Sequence, residues 1–305
     1  MNKPTLLATL GTVLLMSIAV SGGYEPGRRV LLDAHNCYPY DGRWADRIDR
    51  ALSTGTPLAI EQDLVWFHGR SLVAHEHPTG QEPSMRQYFF ERIRPIVEQA
   101  LRDPNHDQWP IVTLNLDFKS EEPEHLAAVW ALLSEYTPWL TTAVRVERID
   151  DVQPLRVGPV LVLTGESDGQ RRAFHDAVPI GQPLLAFGAV HPNGRRTNYH
   201  RWSNNAWRAV EPAGQNHAGA WTPEAEARLR ALVRAAHEAG LWIRFYTLNG
   251  HDPNDTSGGW SPGYNFGSLD AARERWRAAI RAGVDFVAVD QYELFADTLK
   301  RRARP

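Results

Sequence analysis

Several things are scarce in this chain, and each scarcity closes off a class of function. There is one cysteine, Cys37, in 305 residues, so no disulfide forms within the chain and the fold is held by its core. Net charge is only −3, with a sequence pI near 6.5, which gives no global electrostatic footing for nucleic acid, and no nucleic-acid partner is expected. Walker-type phosphate loops, HExxH zinc pairs and nucleophile elbows are all missing. There is no internal repeat or low-complexity tract. What remains is 43% hydrophobic and 23% charged, an ordinary globular balance.

The most apolar stretch, "LLATLGTVLLMSIAV" from Leu6 to Val20, follows Lys3 and precedes Ser21, Gly22 and Gly23. A positive start, a short apolar run and small residues at the exit describe a cleaved secretory signal peptide over residues 1–23. The run falls short of the ~20 residues that span a bilayer, so a retained N-terminal membrane anchor is the weaker alternative. A secreted or periplasmic protein is expected, with residues 24–305 forming one domain and acting as a monomer.

Beyond the leader, strand-like and helix-like runs alternate. "RVLLDAH", "PLAIEQDLVWF", "WPIVTLNLDFK", "GPVLVLT", "QPLLAFGAV", "WIRFYTLN" and "VDFVAVD" read as strands, with "SLVAH" as a short partner across a turn at Gly69. Amphipathic runs such as "TPEAEARLRALVRAAHEAGL", opened by Thr222 and Pro223, read as helices. Strands alternating with helices imply a parallel sheet, and roughly eight units fit an α/β fold of the single-domain (β/α)₈ TIM barrel type. One segment, His191 to Trp221, breaks the rhythm and reads as a long irregular loop.

In such a barrel, chemistry gathers at the C-terminal ends of the strands. The first strand ends in His35 and Asn36; the second carries Glu61 and Asp63; its short partner ends at His75; the third places Asn115, Asp117 and Lys119 on one face. A lone acid in a strand is usually exposed at an edge, and a lone histidine is usually a surface or capping residue. Here they all fall at the ends of neighbouring strands. Carboxylates crowded at one rim raise each other's pKa, a cost that a divalent cation removes. An all-oxygen donor set without cysteine suits a hard ion, Ca²⁺ first and Mg²⁺ second, with Asn36 able to add a carbonyl oxygen. Lys119 suits a phosphate oxygen, and two histidines suit the acid and base of phosphodiester cleavage.

"HN" after the first strand, the "ExD" of Glu61 and Asp63, and His75 shortly after resemble the phosphatidylinositol-specific phospholipase C-like phosphodiesterases. That superfamily of TIM barrels also holds the glycerophosphodiester phosphodiesterases and the sphingomyelinases D. The closing "FYTLN" and "AGVDFVAVDQYELFADTL" are similar to its last two strands and final helix. The resemblance implies His35 and His75 as the catalytic pair and Asn36, Glu61, Asp63 and Asp117 as ligands of Ca²⁺. It implies Lys119 as a substrate contact, on a phospholipid or glycerophosphodiester met in transient contact with a membrane surface. Glycerophosphodiesterases usually carry "HRG" where this chain has "HNC". Asn36 therefore tilts the reading toward an exported, calcium-dependent phospholipase C-like enzyme. The alternatives are a glycerophosphodiesterase, a sphingomyelinase D-like enzyme, or a non-catalytic lipid- or sugar-binding barrel.

Secondary candidates for substrate contact are Asn115, Trp202 in the irregular segment, and Tyr246 and Asn249 at the seventh strand's end. The irregular segment, with Tyr199, His200, Asn204, Asn205, Trp207 and Trp221, is expected to overhang the mouth. The polar run after Asn249 is expected to form a lip, and Cys37 to be a small buried residue.

Overall fold

The computed structural model describes residues 24–39, 45–103, 109–252, 254 and 262–302; the proposed leader and the middle of the polar lip lie outside them. Among the described residues the elements run β1 (Leu31–Ala34), α1 (Arg47–Ser53), β2 (Leu58–Phe67), β3 (Arg70–Val73), α2 (Glu91–Arg102), β4 (Val112–Phe118) and α3 (Pro123–Glu135). Next come β5 (Ala143–Val144), β6 (Val160–Thr164), α4 (Asp168–Arg171), β7 (Pro183–Leu184), β8 (Phe187–Ala189) and β9 (His200–Ala206). The chain closes with α5 (Pro223–Glu238), β10 (Trp242–Tyr246), α6 (Leu269–Ala282), β11 (Phe286–Val289) and α7 (Tyr292–Arg302). No helix among the described residues is long and apolar enough to cross a membrane.

The main sheet has the order β1-β11-β10-β9-β8-β6-β4-β2-β3, and β1 also pairs with β2. That last pairing closes eight parallel strands into a (β/α)₈ barrel. β3 is the exception. It folds back antiparallel on the long β2 through a turn where His68 and Gly69 both have positive φ, 47° and 76°. Helix ends follow their sequence signals: Thr222 and Ser268 cap α5 and α6 by accepting from the amides of Ala225 and Ala271, and Gly283 ends α6 in the left-handed region.

Alternation along the strands sorts the apolar residues into two cores. Leu32, Ala34, Ile60, Leu114, Val162, Ile243 and Val287 face outward and pack under the helices. Ala59, Leu161, Leu163, Phe187, Trp202, Trp242 and Phe286 fill the lower barrel lumen, with Tyr24 edge-on against Trp242 at 5.2 Å. The upper lumen is different: Asp33, Glu61, Asp63, Asn115 and Arg244 stand there, all buried.

The segment expected to be an irregular cap holds the sixth barrel strand. β9 lies between β8 and β10, with Trp202 opposite Ala189 on one side and Trp242 on the other. Its sequence, "HRWSNNA", hid it because a strand buried on both faces usually reads as a continuous apolar run. Here its outward residues find polar partners instead. Arg201 donates to the backbone of Asn198 and Gln153, and Asn205 to Ser203 and the Arg244 carbonyl.

Close packing of this strand depends on Gly188, where a Cβ would stand 2.3 Å from the Tyr199 ring. That ring is buried and its hydroxyl is tied to Thr164, so it cannot swing away. Gly188→Ala is expected to cost about 2–3 kcal/mol through overpacking, read as a lowered urea midpoint; a midpoint equal to that of the parent would show that β8 and β9 are not packed as described.

Candidate active site

β2 and β4 are parallel neighbours, in a register that sets Asp63 opposite Asp117 and Glu61 opposite Asn115. Since Glu61 and Asp63 are two apart, both point into the lumen. The result is a cluster of Glu61, Asp63 and Asp117 with one carboxylate oxygen from each lying within 4.8 Å of the others. This answers why one strand carries two like charges: the register gathers a third.

Each acid is held in its own way. Glu61 accepts from Arg244 Nη2 at 2.9 Å, and the same oxygen stands 3.6 Å from His35 Nε2. Burial favours its neutral form, but the charges of Arg244, His35 and Lys119 outweigh burial and hold it below the usual carboxylate range. Asp63 is the opposite. Burial and the neighbouring Glu61 push it well above that range. Both of its oxygens are buried without a hydrogen-bond partner. Lys119 Nζ offers only an ion-pair approach at 3.3 Å, because its hydrogen bond goes to Asp117, at 2.8 Å. An all-carboxylate set with two buried, unpartnered oxygens fits a hard divalent cation, and Lys119 supplies the balancing charge in the metal-free chain.

β1 and β11 supply the histidine and its support. His35 Nδ1 bonds the carboxylate of Asp290, just past β11, at 2.9 Å, which aims Nε2 at Glu61 and the mouth. Asp290 is fixed in turn by Asn249, whose amide nitrogen donates to it at 2.8 Å and whose oxygen accepts its backbone N–H at 2.7 Å. The Asn36 amide also donates to Asp290, at 3.1 Å, and Arg47 Nη1 stands 3.6 Å away. Burial lowers the pKa of His35, but the carboxylates of Glu61 and Asp290 more than reverse this and push it up to about 9. His75 is half-exposed after β3 and stacks on Tyr38 with ring centroids 6.0 Å apart. Burial and the Lys119 charge lower its pKa.

These groups open on a cavity of about 590 Å³ lined by His35, Asn36, Tyr38, Glu61, His75, Glu76, Asp117, Lys119, Asn204, Arg244, Tyr246, Thr247 and Tyr264. The expected catalytic pair, Asn36, Glu61, Asp117, Lys119 and Tyr246 therefore share one mouth, with Asp63 beside Lys119 and Asp117 behind them. Three expectations need correction. Asn115 stands opposite Glu61, is 3% exposed and does not line the cavity. Trp202 is in the apolar lumen, its indole donating to the Thr164 carbonyl at 2.9 Å. Asn249 is turned to Asp290 and holds it in place. Of the aromatic and amide residues expected to overhang the mouth, only Asn204 lines it, bonded to Arg244 Nη1 at 3.0 Å.

Arg244 and Asp290 escaped the sequence reading, although their signals were present. Arg244 is a lone charge inside the apolar run "WIRFY", the same oddity that marks Glu61. It salt-bridges Asp33 through Nε and lies over the Tyr246 ring. Asp290 ends a strand as His35 does, which is where a barrel keeps its chemistry.

No family model matches the chain, and no curated protein matches it by sequence. Solved structures do. A glycerophosphodiester phosphodiesterase from Parabacteroides distasonis aligns over 90% of this chain and 98% of its own, at 12% identity and a TM-score of 0.52. A glycerophosphoryl diester phosphodiesterase from the same organism aligns over 92% and 89%, at 15% identity and a TM-score of 0.48. At such identities the first likeness establishes a shared TIM-barrel fold.

Asp63→Asn tests the cluster from both sides. In the metal-free protein it removes a buried, unpartnered acid and should raise stability by about 1 kcal/mol near neutral pH. The sign follows from linkage: an acid whose folded pKa is raised costs stability progressively as pH rises above its unfolded value near 4 and through the folded one. In calorimetric titrations with Ca²⁺ or Mg²⁺ the same change should weaken binding at least tenfold. Unchanged cation affinity would show that Asp63 is not a ligand.

Proposed function

We propose that the chain is a metal-dependent phosphoric diester hydrolase acting on a small, polar diester of the glycerophosphodiester kind. The observation that carries this reading is the shared mouth, in which a carboxylate cluster fit for a cation, a lysine and two histidines face one cavity. Glu61, Asp63 and Asp117 would hold the ion, with the Asn36 side-chain oxygen within the same mouth. A bound divalent cation supplies neutralisation of the charge that develops on phosphate oxygens.

The chain's own residues account for the remaining steps. Lys119, anchored on Asp117, presents an ammonium toward a phosphate oxygen. At neutral pH the metal-free site holds His35 protonated and His75 neutral, because their pKa values are displaced in opposite directions. Opposed shifts of this kind sort acid from base. His75 is then the group ready to accept a proton and His35 the group ready to give one, with Asp290 fixing the His35 ring. Were a cation held by Glu61, that carboxylate's hold on His35 would weaken and the His35 pKa would fall from about 9.

Among the described residues, no aliphatic side chain lines the cavity. Polar walls suit a head group and offer nothing to acyl chains, which favours a soluble diester over an intact phospholipid. This revises the first leaning, based on Asn36, toward a phospholipase C-like substrate. The solved neighbour named as a glycerophosphodiester phosphodiesterase points the same way. Tyr246 and Tyr264 flank the cavity as aromatic walls for a polyol.

³¹P NMR on glycerophosphodiesters should show a monoester signal that chelator abolishes, while phosphatidylinositol vesicles turn over slowly or not at all. Faster turnover of the vesicles would overturn the substrate assignment. His35→Ala and His75→Ala should each lower the rate by about 10²–10⁴ in folded protein, and either variant retaining the parent rate would remove that histidine from the mechanism. The pH profile of kcat/KM should be a bell whose acid limb falls below 6.5, the ordinary value of histidine. An acid limb above it would contradict His75 as the base.

A further inference from the structure

The second feature of the molecule that asks for a ligand shares no lining residue with the mouth. A groove of about 620 Å³ runs between α6 and α7, lined by Arg273, Arg277, Ile280 and Arg281 from one helix and Leu294, Asp297, Thr298 and Arg301 from the other. On α6 the basic residues fall at 273, 277 and 281, four apart, so they stack in one line along the helix with steps of ~6 Å. On α7 the lining residues 294, 297, 298 and 301 share one face in the same way. Four arginines thus meet a single aspartate.

Like charges four residues apart destabilise a helix, and proteins commonly offset them with carboxylates. Here the offsets are few. Arg273 has a 3.7 Å approach to the almost fully exposed Asp270, and Arg281 bonds Glu226 on the far side at 3.1 Å. Arg277 and Arg301 have no hydrogen bond or ion pair among the described residues and are exposed. Ile280 and Leu294 form an apolar floor between them.

We propose that this groove binds a linear phosphate polymer. The arginines line a groove between two helices, which suits a ligand that enters it better than a flat bilayer surface. A single phosphate would satisfy one or two guanidinium groups and leave the others unpaired, whereas a chain of phosphates follows the line of arginines. Guanidinium groups engage phosphate oxygens in pairs, which carboxylate chains with one acid per residue match less densely. The site is separate from the mouth, so the inference stands whether or not the diesterase reading holds.

The test uses the full chain and fluorescently labelled inorganic polyphosphate, read by anisotropy, with orthophosphate and poly-L-glutamate as competitors. Saturable binding that weakens with added salt is expected, displaced by unlabelled polyphosphate and poorly by either competitor. The double change Arg277→Gln with Arg301→Gln should weaken it roughly fivefold or more, from the worth of two exposed charge contacts. Its circular dichroism spectrum and the activity at the mouth should be unchanged. Absence of binding, equal affinity in the double variant, or equal competition by poly-L-glutamate would each overturn the proposal.

Discussion

The constraint on which the upper half of this barrel depends is the parallel register of β2 and β4, which brings Glu61, Asp63 and Asp117 to one point. Three carboxylates gathered at one point repel one another, and burial beside Glu61 pushes Asp63 toward its neutral form. Everything around them is arranged as a response. Arg244 reaches across the barrel from β10 to Glu61 and Asp33. Lys119 bends back over Asp117, and the imidazole of His35 faces Glu61. The compensation is uneven, since Arg244 and His35 both attend to Glu61 while Asp63 has only the oblique approach of Lys119. That imbalance leaves one acid firmly ionised and the other pressed toward its neutral form. A cation would restore symmetry.

The same logic explains why the lumen is split along its length. Below, Trp202, Trp242, Phe286 and Tyr24 seal the barrel with apolar contacts, so the electrostatic strain above rests on a rigid floor. Above, His35 and its supports are each limited by a named bond. His35 is held by Asp290, Asp290 by Asn249 and Asn36, and the His35 carbonyl by the Tyr292 hydroxyl at 2.7 Å. The chain therefore fixes the direction of His35 Nε2 largely through Asp290 and Asn249, which do not line the cavity. His75, by contrast, sits past the β2–β3 hairpin, where it stacks on Tyr38 and stands 3.8 Å from Glu76. One histidine is built in and the other is hung at the rim.

Much of this was legible in the sequence, for a physical reason. Strands buried on both faces are apolar, so a charge within one stands out: Glu61 and Asp63 inside β2 and Asp117 near the end of β4 show that contrast, and His35 and His75 follow directly on β1 and β3. The method failed where the contrast was absent. β9 carries Arg201, Ser203, Asn204 and Asn205, whose polarity is met by backbone and side-chain partners, Gln153 and Arg244 among them, that no local pattern reveals, so the strand reads as a loop. Trp202 was consequently placed at the mouth instead of in the lumen. Asn115 and Asn249 were on the right strands, but side-chain destination depends on the layer and on partners far away in sequence. Asp290 lies 255 positions from His35, and nothing near either one announces the pair.

Buried acids are themselves a discriminating set, because the fold contains several and treats them differently. Asp285 is nearly sealed, yet it accepts from the Gly27 and Ile243 amides and from His237. Its burial is compensated, and its work is to tie the N-terminal segment to the barrel floor. Asp33 is buried beneath the site with its Oδ2 on Arg244 and its Oδ1 unpartnered, and it serves mainly to hold that arginine in line. Asp63 has neither oxygen satisfied. A chain selected for stability alone would replace such a residue at a gain, since a buried acid with neither oxygen hydrogen-bonded and an ion-pair approach only from Lys119, at 3.3 Å, is costly to a core. Its retention beside Glu61 and Asp117, at the mouth and nowhere else in the lumen, is where local stability yields to another requirement. Cation binding meets that requirement with the residues present.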